Sequence, residues 1–306
     1  MRNDGVDISK GITICLMVLG HSSIPTWLSH WIWSFHMPFF FIISALFTSW
    51  DKDSFGKFAL RKAKILLLPF IIYSAINLAL FPLSLHVGYG DFLKQILSTG
   101  WGGCALWFVP VFYISLLICK ITKHRLLILF SLIMLILAWT LSYNKVIFPW
   151  TLSSVPFSAF LMMMTRRFKT QIKEWITKSV TTNLLLFSLT GLIASSLISI
   201  WFHLDMAWNN IIPVIPILIG IIGGISFIIG ISVLMQDRFN PVSRIFLHAG
   251  RNTYEIMAIS QVTIVTLNLC IGQHVIVKYA SLVLILISAI YLRKLIEGKL
   301  SKTEAI

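Results

Sequence analysis

The feature that most constrains this chain is a set of long apolar segments without charged residues. Two of the longest run from 179 to 203 and from 211 to 235. A run of about 20 apolar residues is long enough to cross the hydrocarbon core of a bilayer as a helix. The sequence therefore predicts an all-α integral membrane protein.

The composition excludes a soluble globular protein. Only 12% of the residues are charged and 57% are hydrophobic, and the mean hydropathy is +0.87. Soluble domains carry roughly 25% charged residues, and half that fraction leaves too little polar surface to cover a globule of this size. The first apolar run starts near Ile8 and no small-residue cleavage site follows it. We therefore expect it to remain as the first span rather than to act as a signal peptide.

Ten apolar segments can be drawn, which predicts a polytopic protein with about ten transmembrane helices. Their approximate bounds are 9–27, 31–49, 65–85, 104–119, 126–143, 147–165, 180–202, 211–235, 252–271 and 276–292. We find no soluble domain, so residues 1–306 are predicted to form one membrane-embedded domain with a cytoplasmic tail at about 293–306. The longest outer loop, about 87–103, is rich in glycine and is predicted to be partly re-entrant.

The positions of the basic residues predict the orientation in the membrane. All but three of the 25 Lys and Arg residues lie at the ends or in alternate loops; the exceptions are Lys94, Lys145 and Lys278. The positive-inside rule places the basic side, and with it both termini, in the cytoplasm. The net charge of +14 would suggest nucleic acid for a soluble protein, but here the lipid bilayer accounts for it and no nucleic-acid partner is predicted.

No metal site is predicted. The four cysteines, Cys15, Cys104, Cys119 and Cys270, lie far apart in or near apolar stretches. They show neither the CxxC nor the Cys/His spacing of metal sites. We interpret them as packing residues.

Two histidines are the main candidates for function, because ionisable groups at membrane depth are costly. Of the eight histidines, only His21 and His36 fall well inside apolar segments. They belong to successive spans joined by a short outer turn, so the two helices are expected to pack side by side and the imidazoles to share one cavity. The alternative is that each is a packed histidine bonded to a backbone carbonyl.

Lys10 precedes His21 by eleven residues, which is close to three helical turns. The two residues are therefore predicted to share one helix face, about 16 Å apart along the axis. Unless the helix breaks at Gly11, both cannot contact one reacting atom, but they suit two parts of one long ligand. The alternative for Lys10 is a topology charge that snorkels to the interface. Asp7 is predicted either to cap this helix or to pair with Lys10.

Further polar candidates lie later in the chain. Asn252, followed three residues on by Glu255, resembles a capping box, which is the structural alternative to a role in binding. Ser260 lies deeper in the same segment and is a candidate for the cavity wall. Trp150 lies near the outer interface, where tryptophan is common in any membrane protein.

Several segments resemble the membrane-bound acyltransferase 3 family, and most closely its fucose 4-O-acetylase-like and O-antigen O-acetyltransferase branch. The family has a basic residue and a histidine at the spacing of Lys10 and His21, followed by the FHMP segment that here contains His36. Four later segments are also similar: RKAKILLLPF, LWFVPVFY, FPWTLSSVP and GRNTYEIMAIS. The likeness runs from about Asp7 to Gln261 and is most specific in the first helical hairpin.

The chain departs from the family pattern in several places. Lys10 stands where Arg is more usual, Ala45 stands where Gly closes the second segment, and Ser260 stands where the family has His. The acid of the family's LPWSxD segment has no obvious counterpart. The change at Ser260 leaves open the alternative that this chain is a family member that binds its ligand without catalysing a reaction.

The resemblance implies transfer of an acetyl group from acetyl-CoA to a sugar hydroxyl, in a bacterial inner membrane. Acetyl-CoA is then a donor substrate and not a permanently bound cofactor, and its phosphates are predicted to meet Lys10, Arg61 and Lys62 on the cytoplasmic side. His21 is predicted to be the general base, because a neutral imidazole suits proton removal near neutral pH. His36 is predicted to orient the acceptor or to help hold the oxyanion.

The predicted acceptor is a sugar of a lipid-linked or surface glycan. Its binding site is predicted to include Trp107, Trp150, Asn252 and Ser260. The sequence does not decide between direct transfer and a reaction through a covalent acetyl-histidine intermediate. The rival functions are a transporter or flippase for a lipid-linked glycan, which would favour internal repeats and discontinuous helices, and a membrane glycosyltransferase or polymerase, which would favour more charge in the outer loops.

Overall fold

The computed structural model describes residues 4–22, 24–85, 105–238 and 240–271, together with 279–280, 283–284, 287 and 291. The tenth predicted segment, 276–292, lies mostly outside the described residues. The predicted re-entrant loop at 87–103 and the predicted tail at 293–306 lie wholly outside them.

The described residues are helical, and no strand occurs among them; one isolated bridge joins Asp205 and Asn210. The α-helices are α1 (Asp4–Gly20), α2 (Thr26–Trp33), α3 (His36–Phe47), α4 (Phe55–Leu85), α5 (Phe108–Ile121), α6 (Leu127–Tyr143), α7 (Val155–Arg167), α8 (Lys169–Trp201), α9 (Val214–Arg238), α10 (Asn240–Arg251) and α11 (Thr253–Ile271). Short 3-10 helices precede α5, α6 and α7, at Ala105–Trp107, His124–Leu126 and Pro149–Ser154. The all-α prediction is confirmed.

Within the described ranges, four helical segments are long and apolar enough to cross a membrane. They are Thr26–Phe47, His124–Tyr143, Asn183–Trp201 and Val214–Gln236. In the second of these segments most side chains are exposed, in the third about half are, and many of the exposed ones are Leu or Ile. Helices that present so much apolar surface fit a lipid environment. This supports an integral membrane protein, while the count of ten spans and the cytoplasmic placement of both termini stay predictions.

Two of the predicted segments are not single straight helices. Segment 31–49 contains the end of α2 and all of α3, separated by a turn at Ser34 and Phe35. The Phe35 ring is fully buried against Gly224 of α9, where an added Cβ would lie 2.3 Å from the ring. Segment 147–165 begins with the 3-10 helix, in which Trp150 has a φ of 60°, so the regular helix starts only at Val155.

Helix α1 continues through Gly11 without a break, and it crosses α10 at this residue. A Cβ added at Gly11 would lie 1.8 Å from the carbonyl oxygen of Phe246. A Cβ added at Gly250 would lie 1.7 Å from the carbonyl oxygen of Asp7. Both distances are far below van der Waals contact, so the two backbones can approach this closely only because both positions are glycine.

Helix α1 lies at the centre of the bundle. It packs against α2, α3, α9, α10 and α11, and most of its residues from Asp7 to Gly20 are buried. A second close crossing joins α8 to α9, where a Cβ added at Gly191 would lie 2.6 Å from the carbonyl oxygen of Gly223. The helix that carries Lys10 and His21 is thereby held on several sides.

Lysines from two helices fasten the loop between α3 and α4. The Nζ atom of Lys120, in α5, donates to the carbonyl oxygens of Trp50 and Asp53, the latter at 2.8 Å. The Nζ atom of Lys169, in α8, donates to the carbonyl oxygen of Thr48 at 3.0 Å. Basic side chains that the sequence assigns to two cytoplasmic loops thus meet the backbone of a third loop at one end of the bundle.

Candidate active site

The candidate site is built around two neighbouring histidines. His21 directly follows α1, and its backbone N–H still bonds to the carbonyl of Met17 at 3.2 Å. His36 is the first residue of α3. The ring centroids lie 6.3 Å apart, with the planes nearly perpendicular. The two imidazoles are neighbours, although His21 lies at a helix end and not inside a helix, and their sharing of one cavity stays a prediction.

The hydrogen bond of His36 determines which of its ring nitrogens carries the proton. Its Nδ1 lies 3.0 Å from the carbonyl oxygen of Ile32. A carbonyl only accepts, so Nδ1 must carry the proton, and the neutral ring then presents Nε2 as an acceptor. This supports a role for His36 in orienting a hydroxyl group. It disfavours the predicted oxyanion role, because a neutral imidazole in this tautomer has no second N–H to donate.

His21 has a more open position. Its side chain is half-buried, whereas His36 is buried. The Trp33 ring lies 5.9 Å from the His21 ring, with the two planes at 41°. Since His21 is not fully buried, it is a better candidate than His36 for contact with a substrate hydroxyl, which is the first requirement for a general base.

A cavity of about 350 Å³ leads along α1 toward this pair. Lys10, Ile14 and Met17 line it from α1, and these residues lie four and three positions apart. His21 follows Met17 by four positions, so all four share one helix face. Met37, the neighbour of His36, also lines the cavity. The space therefore extends along the face that joins Lys10 to His21 and ends about one turn short of His21.

Lys10 stands at the opposite end of the cavity from the histidines, and it pairs with Asp7. The Nζ to Oδ1 distance is 3.3 Å, so the predicted pairing of these two residues is confirmed. The other carboxylate oxygen of Asp7 lies 3.8 Å from Nε of Arg251. One buried carboxylate thus faces two cations, and Arg251 also pairs with Asp4 at 2.9 Å, so the two carboxylates balance the charges of Lys10 and Arg251.

Lys62 lines the same end of the cavity. Burial, and then the neighbouring Arg61 guanidinium, lower the pKa of Lys62, which lies before the predicted span at 65–85. Its Nζ is 5.7 Å from the centroid of the Phe58 ring, and within the described part of the chain it forms no ion pair with a carboxylate. A partly buried cation without a counter-ion favours the binding of an anion.

The structure separates Arg61 from the other two predicted phosphate-binding residues. Arg61 is exposed and bonds to Oδ2 of Asp53 at 2.5 Å, and it does not line the cavity. Successive residues on a helix point about 100° apart, so the side chains of Arg61 and Lys62 face different surroundings. Lys10 and Lys62 are brought together, and Arg61 is turned away.

The two tryptophans predicted to bind the acceptor do not line this cavity either. Trp107 is buried in the short 3-10 helix before α5, with its ring edge-on to Phe108 at 6.4 Å. Trp150 packs against Phe70 at 6.1 Å. Trp107 is thus a buried core residue, and Trp150 packs against α4.

The side chains of Asn252 and Ser260 each form a hydrogen bond with a backbone carbonyl nearby in the chain. The side-chain amide of Asn252 donates to the carbonyl of His248 at 2.7 Å, which caps the end of α10. Ser260 is fully buried in α11, and its hydroxyl donates to the carbonyl of Met257 at 3.3 Å. Neither residue lines the cavity, although Thr253, next to Asn252, does.

Most of the cavity wall consists of residues that the sequence did not single out. The largest are Phe40, Phe47, Phe108, Phe112 and Tyr254. The Tyr254 hydroxyl donates to the carbonyl of Leu66 at 3.0 Å and ties α11 to α4 beside the lysines. In an apolar chain these aromatic residues look the same as core residues, so no sequence signal distinguished them.

Comparison with protein families gives one result. The family model described as an acyltransferase domain, acyltransferase 3, matches residues 3–293, which is nearly the whole chain. Neither the curated proteins nor the solved structures contain a match to this chain. With the apolar helices of the fold, the match over this length shows that the chain belongs to the acyltransferase 3 family and is a membrane acyltransferase.

Proposed function

We propose that this acyltransferase moves an acetyl group from acetyl-CoA to a sugar hydroxyl of a lipid-linked or surface glycan, in a bacterial inner membrane, with His21 as the general base. The observation that carries the proposal is the cavity along α1. It has two lysines, Lys10 and Lys62, at one end and approaches the pair of His21 and His36 at the other.

The dimensions of the cavity suit the donor. Lys10 and His21 are about 16 Å apart along the helix axis, which is comparable to the length of an extended pantetheine arm. Lys10 and Lys62 supply positive charge for the phosphates, for which lysine is a common partner. The wall between them and the histidines is mainly apolar and fits the arm. The thioester carbonyl then lies beside the histidine pair while the nucleotide stays at the cytoplasmic end.

The reaction follows from these positions. Nε2 of His36 accepts a hydrogen bond from a neighbouring hydroxyl of the sugar and so orients the acceptor, and His21 removes the proton of the reacting hydroxyl. The hydroxyl oxygen forms a bond to the thioester carbon, and the carbon–sulfur bond breaks. The proton held by His21 is then available to the departing CoA thiolate, so the enzyme returns to its starting state. An acetyl-histidine intermediate is the alternative course, and trapping of acetylated peptide distinguishes the two.

The proposed function is tested by transfer of label. Membranes that contain the chain are supplied with acetyl-CoA labelled in the acetyl group and with an extract of lipid-linked glycans. We expect label in the glycan fraction, in an amount that depends on the chain. Absence of chain-dependent label, with several glycan extracts tried, would contradict the proposal and favour the transporter or flippase.

A pair of variants tests whether the lysine end of the cavity binds the phosphates of acetyl-CoA. Replacement of Lys62 by Met is expected to raise KM for acetyl-CoA about 10- to 100-fold, the usual effect of losing a charge-assisted contact. Arg61→Met is the matched control, because Arg61 bonds to Asp53 outside the cavity, and its KM is expected to stay within about twofold of the parent. Equal KM values for the two variants would contradict the placement of the phosphates at Lys62.

A further inference from the structure

A cluster of aromatic and imidazole rings continues from His21 on the side away from the cavity of Lys10 and Lys62. Trp33 and His30 belong to α2, and His203 belongs to the segment that follows α8. The Trp33 ring lies 5.9 Å from His21 and 5.3 Å from His203. The rings of His30 and His203 are 4.1 Å apart. None of the three residues lines the donor cavity.

Two polar atoms of this cluster are buried without a partner. Nε1 of Trp33 and Nδ1 of His203 form no hydrogen bond with any part of the chain that the structure describes. A buried donor or acceptor that stays unpaired costs free energy, and such groups are rare in folded proteins. Trp33 lies beside the half-buried His21 and His203 lies beside Trp33, and this position indicates a ligand that brings hydrogen-bonding groups to this place.

The cluster opens into a groove. His30 lines a cavity of about 450 Å³ between α2 and α8, together with Trp27, Trp31, Ser196 and Ser199. The groove combines aromatic faces with hydroxyl groups. From His30 in the groove wall, ring contacts lead through His203 at 4.1 Å and Trp33 to His21.

The geometry points to Trp33, His203 and His30 as the acceptor subsite, which takes the sugar ring whose hydroxyl is presented to His21. This assignment rests on the proposed function for its relation to the chemistry. Sugars have apolar C–H faces, which fit the flat face of Trp33, and hydroxyl groups that both donate and accept. Those hydroxyls match the unpaired indole N–H of Trp33 and the ring nitrogen of His203.

The charge state of His203 agrees with a neutral, hydroxyl-bearing ligand. His203 lies in the segment between α8 and α9, outside the membrane-spanning segments. Burial, and then the neighbouring His30, lower the pKa of His203. The imidazole is therefore neutral at pH 7 and presents one donor and one acceptor. A cationic ring would instead select an anion.

The test uses a panel of p-nitrophenyl glycosides (fucoside, rhamnoside, glucoside and N-acetylglucosaminide) with the purified full chain in detergent. Acetyl transfer to each glycoside and acetyl release to water are measured separately, and binding is measured as the rise in melting temperature. The variants are Trp33→Ala, Trp33→Phe, which keeps a ring face but lacks the N–H, and His203→Asn. The control is Trp201→Phe, because Trp201 of α8 is 79% exposed.

We expect at least one glycoside to stabilise the parent and the Trp201→Phe control. Trp33→Ala and His203→Asn are expected to raise KM for that glycoside about tenfold or more and to reduce its stabilising effect, with Trp33→Phe intermediate. For these variants, the KM for acetyl-CoA and the rate of acetyl release to water are expected to stay within about twofold of the parent values. A parent that no glycoside stabilises, or variants that bind like the parent, would overturn the subsite. Binding without any acetyl transfer would contradict the proposed function alone.

Discussion

Replacement of His21 by alanine is expected to lower acetyl transfer by a factor of about 10²–10⁴, the usual contribution of general acid–base catalysis. The change removes the accessible imidazole beside His36. It leaves the wall of the donor cavity intact, because that wall ends at Met17. KM for acetyl-CoA should therefore change little while kcat falls, which is the signature of an interaction made in the transition state.

The control for this prediction is another histidine at a distance from the site. His124 precedes α6, and it is exposed near the basic loops. His124→Ala is expected to keep the parent rate. The label assay is run on membranes with matched amounts of each chain, and melting temperatures show whether the His21 variant is folded. A folded His21→Ala protein with the parent rate would remove His21 from the mechanism and leave His36 as the candidate base.

Replacement of Gly11 by alanine is expected to disrupt the fold more than any other single methyl addition in α1. The new Cβ would lie 1.8 Å from the carbonyl oxygen of Phe246, so α1 and α10 must separate. Overpacking of well-packed interiors costs about 1–3 kcal/mol and occasionally more. A contact with rigid backbone belongs at the upper end of this range, because no side chain is able to move aside.

The matched control is Gly56→Ala near the start of α4. A Cβ at Gly56 has nothing within 4 Å, and alanine is favoured over glycine in helices by about 1 kcal/mol. We expect Gly56→Ala to melt at or above the temperature of the parent. We expect Gly11→Ala and Gly250→Ala to yield little folded protein in detergent, as measured by size-exclusion profile and melting temperature. Equal melting temperatures for the Gly11 and Gly56 variants would contradict the close crossing.

Loss of this crossing has a functional consequence as well. Lys10 lies in α1 and His21 directly follows it. A shift of α1 away from α10 would therefore displace both ends of the proposed donor path at the same time. Any folded fraction of Gly11→Ala is therefore expected to show a lower kcat as well as a higher KM for acetyl-CoA. A geometric error of about 1 Å at a reacting group is enough to reduce rates by two orders of magnitude.

Some features could be predicted because they depend on residues that are close in the chain. The apolar segments required a helical membrane protein, since a bilayer leaves little choice of backbone structure. The pairing of Asp7 with Lys10 follows from helical spacing. In both cases a local rule of geometry limits the outcome to one arrangement. The meeting of His21 and His36 was predicted from a short turn between two helices, whereas in the structure the whole of α2 lies between α1 and α3.

Other features depended on how distant helices pack. The preference for Lys62 over Arg61 at the cavity required knowledge of which face of α4 points inward. The placement of Trp150 and Ser260 away from the cavity required the packing of α7 and α11. Nothing in the sequence linked Trp33 to His203, which lies 170 residues further along the chain.

The sequence by itself determined the membrane character of this protein, the helical secondary structure, the histidine pair and the stripe of α1 from Lys10 to His21. Only the tertiary structure decided which aromatic residues line the cavity, why Gly11 and Gly250 have to be glycine, and which rings surround Trp33. The physical reason lies in the solvent. In a bilayer the lipid-facing and core-facing sides of a helix are both apolar, so the hydrophobic pattern that orients helices in soluble proteins does not show which side faces the site.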